Sequence, residues 1–86
     1  MTMFHHKRIR DAAGNKLNRG GITVAFESYG NSIEYAIAQC HEKDNFCREQ
    51  GRVKAAGRLN SKRYRRAFNG AKEDFLRFIE TELHLF

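Results

Sequence analysis

Residues Lys43–Arg66 have the sequence KDNFCREQGRVKAAGRLNSKRYRR, and both the charge and the predicted fold of the chain centre on them. The segment holds nine of the sixteen basic residues and two of the ten acidic residues, Asp44 and Glu49. Nine positive and two negative charges give it a net charge of +7, against +6 for the whole chain. We predict a helix here with Asp44 or Asn45 at its N-cap, because a short side-chain oxygen accepts hydrogen bonds from the unpaired N–H groups of the first turn.

Helical spacing separates two faces of this segment. The first contains its larger uncharged side chains, and we expect this face to be buried. This interpretation places Gly57 against the core and leaves Gly51 on the exposed side. The face predicted to be buried consists of Phe46, Gln50, Val53, Gly57 and Asn60.

The opposite face of the predicted helix is cationic, with the small residues Gly51 and Ala55 in its middle. Small residues let a helix backbone approach a partner closely, and the planar guanidinium group of Arg makes bidentate contacts with carboxylates and phosphates. A second basic run follows directly. We predict that the partner-binding residues are Arg48, Arg52, Lys54, Arg58, Lys62, Arg63, Arg65 and Arg66.

Two segments before this helix predict neighbouring antiparallel strands, because large apolar residues alternate along Ile22–Phe26 and along Ile33–Ala38. Either Tyr29-Gly30 or Gly30-Asn31 can form the loop between them, and both registers keep the apolar faces on the same side. The reverse face is rich in small residues, and it is open to solvent, to a second layer or to a partner. It consists of Thr23, Ala25, Ala36, Ala38 and Cys40.

The first segment, Phe4–Leu17, is typical of a hairpin. Its centre, 11–15, has the sequence Asp-Ala-Ala-Gly-Asn, in which Asp bonds its own backbone and Gly and Asn tolerate positive φ. We expect Ile9 and Leu17 to be the apolar contacts of this pair.

The C-terminal segment predicts one long amphipathic helix, with Ser61 at its N-cap and apolar residues recurring every three or four positions from Tyr64 to Phe86. Gly70 interrupts it at a cost of about 1 kcal/mol relative to Ala, but the apolar pattern continues across it. Phe68 and Phe75 are expected in the core. The predicted fold is therefore α+β, with a three-stranded antiparallel meander followed by two helices packed on one face (βββαα).

The composition favours a single small domain spanning residues 1–86. Seven Phe and three Tyr supply apolar surface for a core, and no proline-rich or glycine-rich segment divides the chain. Neither a secretory signal nor a membrane-spanning stretch is recognisable, and two cysteines favour a reducing compartment. We expect a cytoplasmic location and no membrane partner.

The pattern KDNF-x4-GR-x4-GR, formed by 43–46, 51–52 and 57–58, resembles a motif of small uncharacterised bacteriophage proteins. Those proteins similarly place the motif after a strand ending in Ala-x-Cys, here Ala38-Gln39-Cys40. The resemblance covers about Ile33 to Leu59. It implies a viral origin, the host bacterial cytoplasm as location, and a role in host takeover or counter-defence such as anti-CRISPR activity.

No catalytic or metal-binding pattern is recognisable. Cys40, His41 and Cys47 lack the C-x2-C spacing that lets two thiolates share one tetrahedral ion. No His with an orienting acid can be assigned to Cys47 as a nucleophile. We therefore predict a non-enzymatic protein without metal or cofactor.

A net charge of +6 with a pI near 9.8 favours anionic partners. The basic face could bind the acidic surface of a host or defence enzyme that handles nucleic acid, or bind nucleic acid directly through the phosphate backbone, or be ordinary solvated surface. The resemblance favours an inhibitor or modulator of host nucleic-acid-handling machinery. Direct, largely sequence-independent nucleic-acid binding is the alternative.

Overall fold

The computed structural model of the chain describes residues 1–83 and has an α+β fold. Its elements are β1 (Met3–Lys7), β2 (Arg19–Tyr29), β3 (Ser32–Asn45), α1 (Arg48–Asn60), β4 (Arg66–Asn69) and α2 (Lys72–Glu82). The strands form one antiparallel sheet in the order β1-β2-β3-β4. The predicted α+β class and antiparallel meander are confirmed, but the sheet has four strands instead of three.

The β2–β3 hairpin forms the centre of the sheet. Tyr29 pairs with Ser32, so the loop is Gly30-Asn31, and Gly30 adopts a φ of 66° that favours glycine. This loop is one of the two that the sequence left open. β3 continues to Asn45, which pairs with Arg19. Asp44 and Asn45 therefore belong to the strand, and α1 begins later than predicted, with Cys47 at its N-cap.

The predicted turn in the first segment is confirmed. Asp11 Oδ1 accepts hydrogen bonds from the backbone N–H groups of Ala13 and Asn15, each at 2.9 Å. Ile9 and Leu17 face each other across it, with the Leu17 N–H donating to the Ile9 carbonyl at 2.8 Å. β1 itself pairs with β2, which makes β2 and β3 the two inner strands.

The two helices lie on opposite faces of the sheet, so the prediction that both pack on one face is wrong. α2 packs Phe75 and Ile79 on the large apolar face of β2 and β3. α1 packs Ala55 and Leu59 on the alanine face, where Ala25 is fully buried. The small-residue face of the sheet therefore takes a second layer, which was one of the alternatives that the sequence allowed.

α1 is turned so that its small residues face the sheet, which reverses the predicted orientation. Val53, expected in the core, has 68% of its surface exposed. A Cβ atom on Gly57 would meet nothing within 4 Å, whereas one on Gly51 would overlap the Thr23 hydroxyl. The helix comes so close to Thr23 that only glycine fits at position 51, and Ala55 and Leu59 complete the contact with the alanine face. Phe46, Gln50 and Asn60 also lie outside the main core, half-buried or exposed.

The predicted C-terminal helix is shorter than expected and is preceded by a strand. Ser61 is the C-cap of α1 instead of an N-cap, and β4 follows it. Gly70 has a φ of 152°, a left-handed backbone conformation that ends the strand and is incompatible with a continuous helix. Phe68 lies in β4, where it pairs with Ile33 and is half-buried. Its position at helical spacing from the apolar residues of α2 is therefore coincidental. The last apolar residue of the pattern, Phe86, lies outside the described residues.

Lys7 links β1 to the end of α2. Its ammonium group donates hydrogen bonds to the backbone carbonyls of Ile79, Glu80 and Leu83 at 3.2, 2.9 and 2.7 Å. These carbonyls include acceptors that a helix C-terminus leaves without an intrahelical partner, and a positive charge there also favours the helix dipole. α2 is thus held at its C-terminal end by the outer strand of the sheet.

The orientation of α1 predicts opposite effects for two matched substitutions. Gly51→Ala should lower the free energy of unfolding by about 1–3 kcal/mol, because its methyl group would overlap Thr23. Gly57→Ala should raise it by up to about 1 kcal/mol, because this exposed position gains helix propensity. Urea unfolding of both variants measures the difference, and equal changes would contradict this orientation.

The aromatic cluster under α2 predicts a strong dependence on Phe75. Its ring lies 5.0 Å from that of Phe26 and 5.1 Å from that of Tyr35, and the residue is fully buried. Phe75→Ala should cost about 3–5 kcal/mol, enough to unfold a domain of this size. Phe68→Ala, at a half-buried position, should cost clearly less. Thermal unfolding by circular dichroism tests this order, and a Phe75→Ala melting temperature near that of the parent would refute it.

Candidate functional site

The cationic residues of α1 lie on both flanks of its buried face, not on one outward face. Arg48 and Arg52 extend towards β1, where they line grooves together with His5 and His6. On the other flank, Arg58 donates to the Ile37 carbonyl of β3 at 2.8 Å, and Lys54 lies beside the end of β3. The outward ridge between the flanks carries Glu49, Gln50, Val53, Gly57 and Asn60.

The first flank belongs to a larger group that we call the β1 cluster. It follows the outer edge of β1 and borders a groove of about 380 Å³. Sequence reasoning found its two α1 members only, although the run HHKRIR at 5–10 was a signal of clustered cations and histidines near the first strand. The β1 cluster consists of His5, His6, Arg8, Arg10, Lys16, Arg48 and Arg52.

His6 lies where β1, β2 and α1 meet. Its Nδ1 atom shares a hydrogen bond of 2.8 Å with the hydroxyl of Thr23, the same residue that contacts Gly51. Burial lowers the pKa of His6 below its ordinary value near 6.5, and the nearby charges of Arg48 and Arg52 lower it further. The neutral imidazole is therefore the form that this fold favours.

Phe46 connects the β1 cluster to the sheet. The guanidinium carbon of Arg8 lies 4.4 Å from the centre of the Phe46 ring, within cation–π range. The ring also meets His6 edge-on at 5.6 Å and lies over Gly21, where a Cβ atom would contact it. Arg8 additionally donates to the Leu17 carbonyl at 2.6 Å. These contacts fix the direction of one cation in the cluster.

The second flank forms a group that we call the Tyr64 cluster, around a groove of about 360 Å³. The guanidinium carbons of Arg58 and Arg63 each lie 5.6 Å from the centre of the Tyr64 ring, which is 49% exposed. Lys62 is exposed in the same connection between α1 and β4. The cluster consists of Arg58, Arg63, Tyr64, Arg65 and Arg66.

Arg65 has internal partners that its neighbours lack. Its guanidinium group donates to the carboxylates of Glu27 and Glu34 at 3.1 and 3.0 Å and to the Leu59 carbonyl at 3.1 Å. Hydrogen bonds from the hydroxyls of Tyr29 and Thr2 lower the pKa of Glu27, so this carboxylate stays charged beside Arg65. Arg65 therefore ties β4 to β2 and β3, a structural role that sequence reasoning did not assign.

The two cysteines line one pocket of the fold. Cys40 and Cys47 both border a pocket of about 210 Å³ between β3 and the start of α1, together with His41. Within residues 1–83, no group of three or more His, Cys, Asp or Glu side chains is arranged to hold a metal ion.

No protein-family model, curated protein or solved structure matches this chain. Within the described residues, neither helix is long and apolar enough to cross a membrane.

The lowered pKa of His6 predicts a stability that falls with acidification. The unfolded chain takes up a proton near pH 6.5 while the folded chain resists it, so stability should decline as pH falls from 7.5 to 5.5. This window lies above the range in which Glu27 titrates. His6→Gln removes the titrating group and should make the decline shallower. Urea midpoints of both proteins across this window test the assignment, and parallel declines would contradict it.

Proposed function

We propose that this protein is a non-enzymatic binding protein that docks α1 and its two cationic flanks on the acidic surface of a host or defence enzyme that handles nucleic acid. The observation that carries the proposal is that most of these cations lack a carboxylate partner among residues 1–83. There, Arg65 is the one predicted partner-binding residue that forms a salt bridge. Arg58 donates to the Ile37 carbonyl, but neither its charge nor the charges of the other six are paired with a carboxylate in this range, so they are available to a partner that supplies carboxylates.

The centre of this surface favours a protein partner. Val53 is exposed on the outward ridge of α1, and Gly57 beside it leaves open space for a close approach. An exposed apolar residue between two cationic flanks is compatible with the core and rim of a protein interface. A nucleic-acid surface would instead be expected to place cations along the whole path of the phosphate backbone.

The resemblance of the KDNF-x4-GR-x4-GR segment to bacteriophage proteins gives the proposal its biological context. Enzymes that act on nucleic acid commonly hold divalent metal ions with carboxylates, which gives part of their surface a negative charge. A compact cationic protein that covers such a surface would block or modulate the enzyme. Host takeover and counter-defence, including anti-CRISPR activity, are the roles in which this inhibition would act.

One observation supports direct nucleic-acid binding as a second candidate. Tyr64 is exposed and lies between two arginines in the Tyr64 cluster. A base can stack on an exposed aromatic ring while neighbouring arginines contact phosphates, and such binding depends little on sequence. This arrangement favours single-stranded nucleic acid over duplex.

The proposal predicts that the tagged protein retains one stoichiometric protein from bacterial lysate after nuclease treatment. Val53→Asp should release that protein, because a carboxylate would replace the apolar centre and face an acidic surface. Arg19→Glu/Lys43→Glu is the charge-change control, since both residues are exposed and outside the two clusters. The protein-partner proposal would be contradicted if nuclease treatment released every partner. It would also be contradicted if the Val53→Asp variant still retained the protein.

Salt separates the two candidates. Binding to an oligonucleotide through about six phosphate contacts should weaken by about a thousandfold between 50 and 200 mM salt. Binding to a protein through a desolvated centre should depend less on salt, with the cations affecting mainly the association rate. Measuring the affinity for each partner at both salt concentrations shows which complex remains bound at physiological ionic strength.

A further inference from the structure

β1 presents a strand edge that no other described strand covers. The strand order places it at the side of the sheet, paired with β2 alone. The Lys7 carbonyl oxygen lies 2.9 Å from the position that a Cβ on Gly21 would occupy, so it points towards β2. Backbone direction alternates along an antiparallel strand, so Phe4 and His6 direct their N–H and C=O groups away from the sheet.

α1 and α2 lie on opposite faces of the sheet, and side chains of both helices line the grooves beside this edge. At one end, a cavity of about 540 Å³ is lined by Arg52 of α1 and by Lys72 and Leu76 of α2, with β1 between them. We call the whole groove along β1 the β1 slot.

The slot continues along the strand. Its second part, of about 380 Å³, lies between Arg48 of α1 and Glu80 of α2. His5 and His6 line both parts, so the slot follows β1 for most of its length. A strand added to this edge would pair with the outward backbone groups of β1 and place its side chains between those of the two helices.

The two walls of the β1 slot differ in chemistry. The α1 wall carries Arg48 and Arg52. The α2 wall carries the apolar side chain of Leu76 between Lys72 and Glu80, and Glu80 is bound to His5. Successive side chains of a strand point to opposite faces. A strand in the slot would therefore satisfy both walls by alternating acidic residues towards α1 with apolar residues towards α2.

We propose that the β1 slot binds an extended segment of a partner protein in which acidic and apolar residues alternate. The segment pairs with the outward N–H and C=O groups of Phe4 and His6, and its carboxylates face Arg48 and Arg52. A second copy of this chain fits poorly, because the cations of two β1 clusters would face each other. The inference deepens the proposed function and depends on it for the acidic protein partner.

A synthetic peptide tests the slot without the natural partner. The probe is the capped heptapeptide EVEVEVE, added to the full chain. Binding should slow amide hydrogen exchange at Phe4 and His6, because their N–H groups gain acceptors. A scrambled peptide EEVVVEE and a cationic peptide KVKVKVK are the controls, and both should bind at least about tenfold more weakly.

Matched charge reversals locate the binding. Arg48→Glu/Arg52→Glu should weaken binding of EVEVEVE by at least about tenfold, while Arg63→Glu/Arg66→Glu, with the same charge change in the Tyr64 cluster, should alter it by no more than about twofold. Circular dichroism confirms that both variants fold. The unsubstituted chain is also tested with all three peptides. The comparison of peptides therefore tests the slot even if a variant fails to fold.

Several results would overturn the proposal. The first is that the peptide EVEVEVE fails to bind, and the second is that the scrambled peptide binds equally well. The others are that the two double variants weaken binding equally, or that binding leaves amide exchange at Phe4 and His6 unchanged. A dimer of the free protein that protects these amides would assign the edge to a second copy instead. Retention of a protein from nuclease-treated lysate with a failed peptide test would leave the proposed function standing and reject the slot alone.

Discussion

α1 lies so close to the sheet at Gly51 that any side chain there would overlap the Thr23 hydroxyl. This contact sets the rotation of the helix, because only glycine fits where the helix backbone meets Thr23. The rotation directs Arg48 and Arg52 towards β1 and Lys54 and Arg58 towards β3. The same hydroxyl bonds His6, so one threonine fixes the helix, the edge strand and the inner strand together.

The strands with alternating apolar residues could be predicted from the sequence, and so could the buried position of Phe75. The orientation of α1 could not, because the sequence pattern placed Val53 in the core, whereas the close approach to Thr23 requires glycine at position 51 and turns Val53 to solvent. The end of the predicted long helix depended on the positive φ of Gly70, a conformation that glycine permits but that the sequence does not require. Local apolar spacing was equally compatible with helix and strand at 66–69.

The candidate site was predictable in charge but not in shape. The sequence shows that Lys43–Arg66 carries most of the positive charge, and the eight residues predicted from it include members of both clusters. Their separation into two flanks results from the rotation of α1, and the contributions of His5, His6 and Arg8 result from strand pairing. Arg65 looked equivalent to its neighbours in the sequence, but Glu27 and Glu34, distant along the chain, give it a structural role.

The hydrogen bonds of Lys7 to the carbonyls at the end of α2 join residues that are 72 to 76 positions apart. Contacts between such distant residues slow folding, because most of the chain must be ordered before they form. During synthesis, β1 would emerge long before the helix that it holds. Until α2 arrives, the large apolar residues of β2 and β3 have no cover on that face. One helix, α2, therefore both covers this apolar face and supplies the carbonyl groups that bind the edge strand through Lys7.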